Sequence, residues 1–411
     1  MHFAARSVLL ALALTPIIAV PFSSERETPI QNVVLLTLDG RSFDNYLGYI
    51  TDRDARINGL SPGQRYCNQA PTGDVICTNR RSGKRAREER PCATSECVRE
   101  QMFGRLVEEE DETVVVEYAV PQMEGFAISA SKIWDSNSSD VLRDVMDCNT
   151  PQTTSVTTRL ALEYAVFDAW FSAVPGPSHP NRLFLMSGTS SGTVDEGDMK
   201  TLVQGYETKS IFRQLAEHGV SWKNYFVSVP SSIVFRDVRT TESLSKLQKY
   251  SEFGKDARAG TLPAFSQIDP EINASGEARD VGRMEELIKD VYEALRASPQ
   301  WNQTLFLITF TDGGGYYDHV VPPLLPIRVT AGRALESARL GVRVPTIAIS
   351  PLIPRGTVVK EPYEHSSIPA TIAKIFRLPS GLSARSAVAR PITSDVFSLR
   401  KPRHDTPWTL D

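Results

Sequence analysis

The stretch "LLTLDGRSFDNYLGY", residues 35–49, decides the fold. The run that enters it, "VVLLTL" (Val33 to Leu38), is continuously apolar rather than alternating. That is the pattern of a strand covered on both faces. The run ends abruptly in Asp39-Gly40. A carboxylate placed there is held rigidly by a buried strand and points into the space beyond it, while Gly40 lets the backbone turn sharply or lets a ligand approach. An ordinary strand-ending Asp-Gly turn uses the same two residues, so the choice between turn and site depends on the rest of the chain.

Further strands are expected at "VSWKNYF" (Val220 to Phe226), "LFLITF" (Leu305 to Phe310) and "TIAIS" (Thr346 to Ser350). Helical patterns lie between them. In "RMEELIKDVYEALRASPQW", Met284, Leu287, Ile288, Val291 and Leu295 recur at helical spacing, and Pro299 marks the stop. In "SIFRQLAEHGV", Ile211, Phe212, Leu215 and Ala216 share a side, with Gly219 as end signal. This succession predicts an α/β fold with a mostly parallel central sheet between helical layers. Residues 51–150 break the rhythm. They hold all five cysteines (Cys67, Cys77, Cys92, Cys97, Cys148), the basic cluster "RRSGKRAREER" (Arg80 to Arg90) and the acidic run "EEEDE" (Glu108 to Glu112). A disulfide-bearing insertion or cap is expected there, on a single domain spanning 23–411. Residues 227–275 are polar and read as a smaller, loop-rich excursion.

The chain has 411 residues, 41% of them hydrophobic, enough for a large core. Its net charge of −4 lacks the basic excess of a nucleic-acid binder, and the basic cluster reads as a solvated loop. The first 22 residues, "MHFAARSVLLALALTPIIAVPF", have the arginine, short apolar run and N-terminal position of a secretory signal peptide. A secreted protein without a membrane-spanning segment after leader removal is the expectation. An oxidising compartment pairs four of five cysteines in an order the spacing leaves open. A zinc site is disfavoured, because no histidine lies among the cysteines and no paired C-x-x-C occurs. Sequons at Asn137, Asn273 and Asn302 fit a glycoprotein.

Ligands of open α/β sheets bind beyond the carboxyl ends of the strands, and three polar clusters suit that position. Asp39 is the first. The second is "AVFDAWFSAVPGPSHPNRLFLMSG" (Ala165 to Gly188), where Ser178 suits a helix N-cap and Pro180 the first turn. A hydroxyl there can also be a nucleophile toward an anionic substrate, stabilised by the helix N-terminus, with Asn181 and Arg182 supplying donors. The third is "LFLITFTDGGGYYDHV" (Leu305 to Val320), with Thr311, Asp312, Asp318 and His319; Asp312 shares an edge with Asp39 if their strands are neighbours. Farther on, "YEHSSIPATIAKIF" puts His365 before a helix. Carboxylates on strand ends are hard ligands for a divalent cation, which beside Ser178 would lower the hydroxyl's pKa and hold phosphoryl oxygens.

The same residues carry a family likeness. The chain resembles the phosphoesterase family that includes bacterial phosphatidylcholine-hydrolysing phospholipase C and a group of acid phosphatases. The matching stretches are "NVVLLTLDGRSFDNYLGYI", "DAWFSAVPGPSHPNRLFLMSG", "SIFRQLAEHGVSWKNYF", "LPAFSQIDP", "DVYEALRASPQWNQTLFLITFTDGGGYYDHV" and "RVPTIAISPLIPRGTVVKEPYEHSSI", in the family's order from about Asn32 to Arg377. The resemblance implies an alkaline-phosphatase-like fold and a metal-assisted hydrolase of phosphate esters, phospholipid or small. It places the nucleophile on Ser178 and metal-binding groups on Asp39 and Asp312, with Thr311 beside them. His365 and His319 match catalytic histidines, and Asn181, Arg182 and the adjacent His179 are expected to hold substrate. The family's Glu-Asn before "RSFD" is Asp39-Gly40 here, and its Asp-Glu-His before Gly-Gly is Thr311-Asp312-Gly313. Two readings follow: a working secreted phosphoesterase with a rearranged metal site, or a catalytically degenerate member that binds a phosphorylated ligand or a protein partner.

Overall fold

Strand β1 (Asn32–Leu38) is buried at every residue, so both its faces are covered. In the computed structural model, which describes residues 29–81, 90–104, 120–270, 280–325, 339–379 and 381–410, β1 lies inside an eight-stranded sheet. Its other strands are β2 (Ala165–Phe167), β3 (Trp222–Phe226), β4 (Leu247–Lys249), β5 (Phe265–Asp269), β6 (Thr304–Phe310), β7 (Thr346–Ile349) and β8 (Thr357–Val359). The spatial order is β8-β2-β7-β6-β1-β5-β3-β4. Only β7 runs against its neighbours β6 and β2; the remaining pairings are parallel. The sheet is therefore mostly parallel and flanked by helices, as expected.

Five helices bear on the argument: α1 (Phe43–Leu47), α2 (Ser178–Ser187), α3 (Ile211–Glu217), α4 (Val281–Arg296) and α5 (Ser367–Ile375). Helix α4 shows why the periodicity was readable. Its buried side is Val281, Met284, Ile288, Val291, Tyr292 and Leu295, and the Asp280 side chain caps its start by accepting from the Arg283 N–H. Each such side chain fully withdrawn from water contributes about 1.5–3 kcal/mol. Helix α2 packs against α3 and α5, while α4 packs against the helix Ser155–Glu163.

The excursion expected over 227–275 needs correction. This stretch supplies two strands of the main sheet, and β5 lies directly beside β1. Its polar letters concealed it. Ser266, Gln267 and Asp269 are buried, and the last two are held by side chains: Gln267 Nε2 donates to Ser231 Oγ at 2.8 Å and Asn224 Nδ2 to Asp269 Oδ2 at 2.8 Å.

The described part of 51–150 gathers its own apolar cluster, in which Leu60, Met102, Phe126 and Leu142 meet Tyr317 and Val342 of the main body. Disulfides join Cys67 to Cys77 and Cys92 to Cys97, and Cys148 is free and buried. Asn137 and Asn302 are exposed. The leader, residues 82–89 of the basic cluster, the acidic run and Asn273 lie outside the described residues. Among the described residues, no helix is long and apolar enough to cross a membrane.

Candidate active site

Strands β1 and β6 pair in parallel with Leu38 opposite Phe310, and the Thr311 N–H donates to the Leu38 carbonyl at 2.9 Å. Asp39 and Thr311 therefore leave the sheet side by side, with Thr311 Oγ1 3.4 Å from Asp39 Oδ1. Two glycines make the crossing possible. Gly40 and Gly314 have φ of +50° and +62°, and a Cβ on Gly314 would stand 2.2 Å from the Gly40 carbonyl oxygen. The Gly314 N–H donates to Asp312 Oδ1 at 2.7 Å, which turns the other carboxylate oxygen, Oδ2, toward Ser178.

Ser178 is the first residue of α2 rather than its cap. Pro177 occupies the cap position and makes no side-chain bond to the helix. The Ser178 hydroxyl instead donates to Asp312 Oδ2 at 2.7 Å. Thr311 Oγ1 stands 3.0 Å from Ser178 Oγ and 2.7 Å from Asp312 Oδ2, and its single proton can serve one of them at a time. Burial raises the Asp312 pKa; the hydrogen bonds from Ser178, Thr311 and Gly314 oppose this, and the charge of Asp39 adds to it. A buried carboxylate with a raised pKa, in contact with a hydroxyl, is a competent proton acceptor.

Arg182 lies four residues after Ser178, one helical turn on, and so shares its face of α2. Its Nη2 donates to Asp39 Oδ1 at 2.5 Å, and its Nη1 is 3.7 Å from Asp269 Oδ1. The side chain is only 7% exposed, and Nη1 has no hydrogen-bond partner. An unsatisfied buried guanidinium N–H beside a helix N-terminus suits a phosphoryl oxygen.

The other expected site residues are placed differently. Asn181 accepts from the Val174 N–H and donates to the carbonyls of Val174, Gly176 and Pro177. Its amide shapes the Pro-Gly-Pro loop and leaves no donor for substrate. His179 Nε2 is 2.9 Å from Tyr206 Oη, and burial, then Arg182, lowers its pKa. His365 is fully buried. Its Nε2–H donates to the Thr311 carbonyl at 2.7 Å, and its Nδ1 accepts from Trp170 Nε1 at 3.3 Å. Both nitrogens are committed, so it braces Thr311 from behind rather than touching Ser178. His319 Nδ1 is 2.6 Å from Asp44 Oδ2 and its Nε2 is 3.2 Å from Asn58 Oδ1. Among the described residues, no hydrogen bond or ion pair joins His319 to the Ser178 group.

Asp44, Asp318 and His319 offer three ligand atoms within 4.8 Å of one another. Arg343 already supplies a cation there: Nη2 is 2.8 Å from Asp44 Oδ1 and Nε 3.1 Å from Asp318 Oδ1, with all three side chains fully buried. Burial by itself would raise the Asp44 carboxyl, but Arg343 and His319 hold it below the usual range. At the Ser178 group, Asp39, Thr311, Asp312 and Ser178 offer oxygen donors of the kind a hard cation takes, with the Arg182 guanidinium already on Asp39. Sequence reading missed Asp44 as the partner of His319, Arg343 as the cation between Asp44 and Asp318, and Asp269 beside Arg182. Asp269 carried a usable signal, since it ends a buried strand as Asp39 and Asp312 follow theirs.

His365 gives a pH prediction. Burial lowers its pKa to about 4, whereas the unfolded value is about 6.5. The unfolded chain thus binds the extra proton first. The contribution of His365 is full above about pH 6.5 and is lost as pH falls toward 4. Melting temperature should drop over that window, and His365→Gln should flatten the drop. Parallel curves for the two proteins would contradict it.

A mostly parallel α/β sheet here brings a hydroxyl, two carboxylates and a buried arginine to its carboxyl edge, an arrangement suited to phosphate-like esters. The comparisons with known proteins agree. The chain belongs to the Phosphoesterase family, whose model matches residues 30–379, and it is a phosphoric ester hydrolase. It is 38% identical over 414 residues to non-specific phospholipase C6 of Arabidopsis thaliana, covering 94% of this chain and 76% of that protein. It is 26% identical over 450 residues to phospholipase C B of Mycobacterium tuberculosis (strain ATCC 25618 / H37Rv), covering 93% and 80%. A solved structure of a protein in the alkaline phosphatase superfamily from Vibrio parahaemolyticus is a remote likeness, at 11% identity and a TM-score of 0.37 over 59% of this chain and 64% of that one.

Proposed function

We propose that the protein is a secreted phospholipase C-like enzyme in which Ser178 attacks the phosphorus of a phospholipid diester. The observation that carries this is the Ser178 hydroxyl donating to buried Asp312 at 2.7 Å, on the helix face that also presents Arg182. Asp312 accepts the hydroxyl proton as the Ser178 oxygen bonds to phosphorus. Arg182 Nη1 and the first N–H groups of α2 hold the phosphoryl oxygens. The same proton passes to the departing diacylglycerol oxygen, and water then hydrolyses the phosphoseryl ester with Asp312 again as base. Asp39 keeps Arg182 oriented. A divalent cation held by Asp39, Thr311 and Asp312 would, when bound, withdraw charge from the phosphoryl group. Secretion is supported by the leader-like N-terminus, the two disulfides and the exposed sequons at Asn137 and Asn302.

Purified protein is expected to turn over a chromogenic phosphocholine diester faster than p-nitrophenyl phosphate. EDTA should lower the rate and a divalent cation restore it. A folded protein with no turnover of either ester, and no metal by elemental analysis, would instead favour the reading of a member that binds a phosphorylated ligand or partner without cleaving it.

A further inference from the structure

The loop closed by the Cys92–Cys97 disulfide lies against three separate segments of the Ser178 site. It meets Gly315, next to the Gly40–Gly314 crossing: a Cβ there would stand 2.5 Å from the Cys92 carbonyl oxygen and 2.6 Å from Pro91 Cβ. It approaches Gly176, two residues before Ser178, where a Cβ would stand 3.9 Å from Ser95 Cβ and 3.0 Å from the Val194 carbonyl oxygen. It also grips Asp195, whose Oδ1 accepts from the Ser95 N–H at 2.7 Å and whose Oδ2 accepts from Ser95 Oγ at 2.9 Å.

The loop is itself well anchored. Gln101 Nε2 donates to the Cys92 carbonyl at 2.7 Å. Thr94 caps the helix Ser95–Phe103 by accepting from the Cys97 N–H at 3.3 Å. Ser95 is thus fixed by a helix start and a disulfide while it holds Asp195 with two donors. Gly197 presses on His179, since a Cβ there would stand 2.8 Å from His179 Nε2. Residues 194–197 are therefore held against the N-terminus of α2 from two sides.

We propose that Ser95 is a positioning residue for the hydrolytic site: by gripping Asp195 it holds residues 194–197 against the start of α2 beside Ser178, and the Cys92–Cys97 bond keeps Ser95 in place. The insertion thereby completes the site's wall, and it sets how substrate is held rather than the bond-breaking step. This rests on the reading of Ser178 and Asp312 as the reacting pair.

The test is kinetic. Ser95→Ala should raise KM for the phosphocholine diester roughly tenfold, the scale of a lost charge-assisted hydrogen bond, with kcat held within about twofold. Ser95→Thr, which keeps both donors, should restore KM. The Cys92→Ser/Cys97→Ser double variant should raise KM in the same direction, and Ser95→Ala should add little on top of Asp195→Ala. Unchanged KM in Ser95→Ala, additive KM effects in the Ser95/Asp195 pair, or a KM shift that Ser95→Thr does not reverse would each overturn the proposal. Tungstate affinity by titration calorimetry gives a second readout of the same pocket and should weaken in step with KM. Ser178→Ala separates the two readings: wild-type turnover lost in that variant upholds the reacting pair whatever Ser95 does. A wild-type protein that neither turns over ester nor binds tungstate overturns both.

Discussion

Ser178→Ala should lower kcat on a phosphodiester by roughly 10⁴-fold or more, the usual scale for removing a nucleophile. Ser178 Oγ touches only Asp312 and Thr311 among the described residues, so the fold should survive. Asp312 keeps its bonds from Thr311 Oγ1 and the Gly314 N–H, and the lost hydrogen bond costs about 1 kcal/mol. The clean outcome is an inactive protein with nearly unchanged circular dichroism and melting. Acid quenching during turnover should trap the phosphoryl headgroup, phosphocholine for a phosphocholine diester, on Ser178 in the wild type and on no residue in the variant. Activity within tenfold of wild type would remove Ser178 as nucleophile. A variant that is both inactive and unfolded would leave the trapping result on the wild type to decide.

The second large effect concerns stability. Arg343→Met should destabilise the protein by about 3–5 kcal/mol, the range for removing one partner of a buried ion pair. The guanidinium bridges Asp44 and Asp318, donates from Nη1 to the carbonyls of Asn58 and Asp168 at 2.5 and 2.9 Å, and lies 4.2 Å from the Phe43 ring centroid. Methionine fills much of the volume but leaves two buried carboxylates without the guanidinium that bridges them. Urea unfolding would measure the loss. Arg343→Lys should recover part of it, since an ammonium keeps the charge but not the planar fork. A cost under about 1 kcal/mol would show that His319 alone suffices to hold the acidic pair.

How much of this was legible in the sequence follows from what is local. Strands β1 and β6 were readable because every residue in them is buried, which forces an unbroken apolar run. Their adjacency was not, and it alone turns Asp39 and Asp312 from two turns into one site. Strand β5 was hidden because it buries polar side chains, and Asp269 among them finds its partners as far away as Ser231 and Asn224. Ser178 looked like a helix cap because local spacing cannot report a carboxylate 134 residues away. His365 suffered the same way, with Trp170 and Thr311 occupying its ring from distant segments. Arg343, like Asp269, offered a neglected local hint: a lone arginine between valines, in "GVRVP", sits where only a buried and paired charge would be tolerated.

The register of β1 against β6 bears on how this enzyme could acquire new substrates. Asp39 and Thr311 follow directly on neighbouring parallel strands, so the floor of the site inherits the fixed spacing of a hydrogen-bonded lattice, about 4.8 Å from rung to rung. Such a floor cannot widen for a bulkier ester without breaking backbone bonds. Adaptation is left to the surrounding segments, where Asp195 and the small cystine ring meet. Divergence of substrate range should accumulate there while the rungs beneath stay as they are.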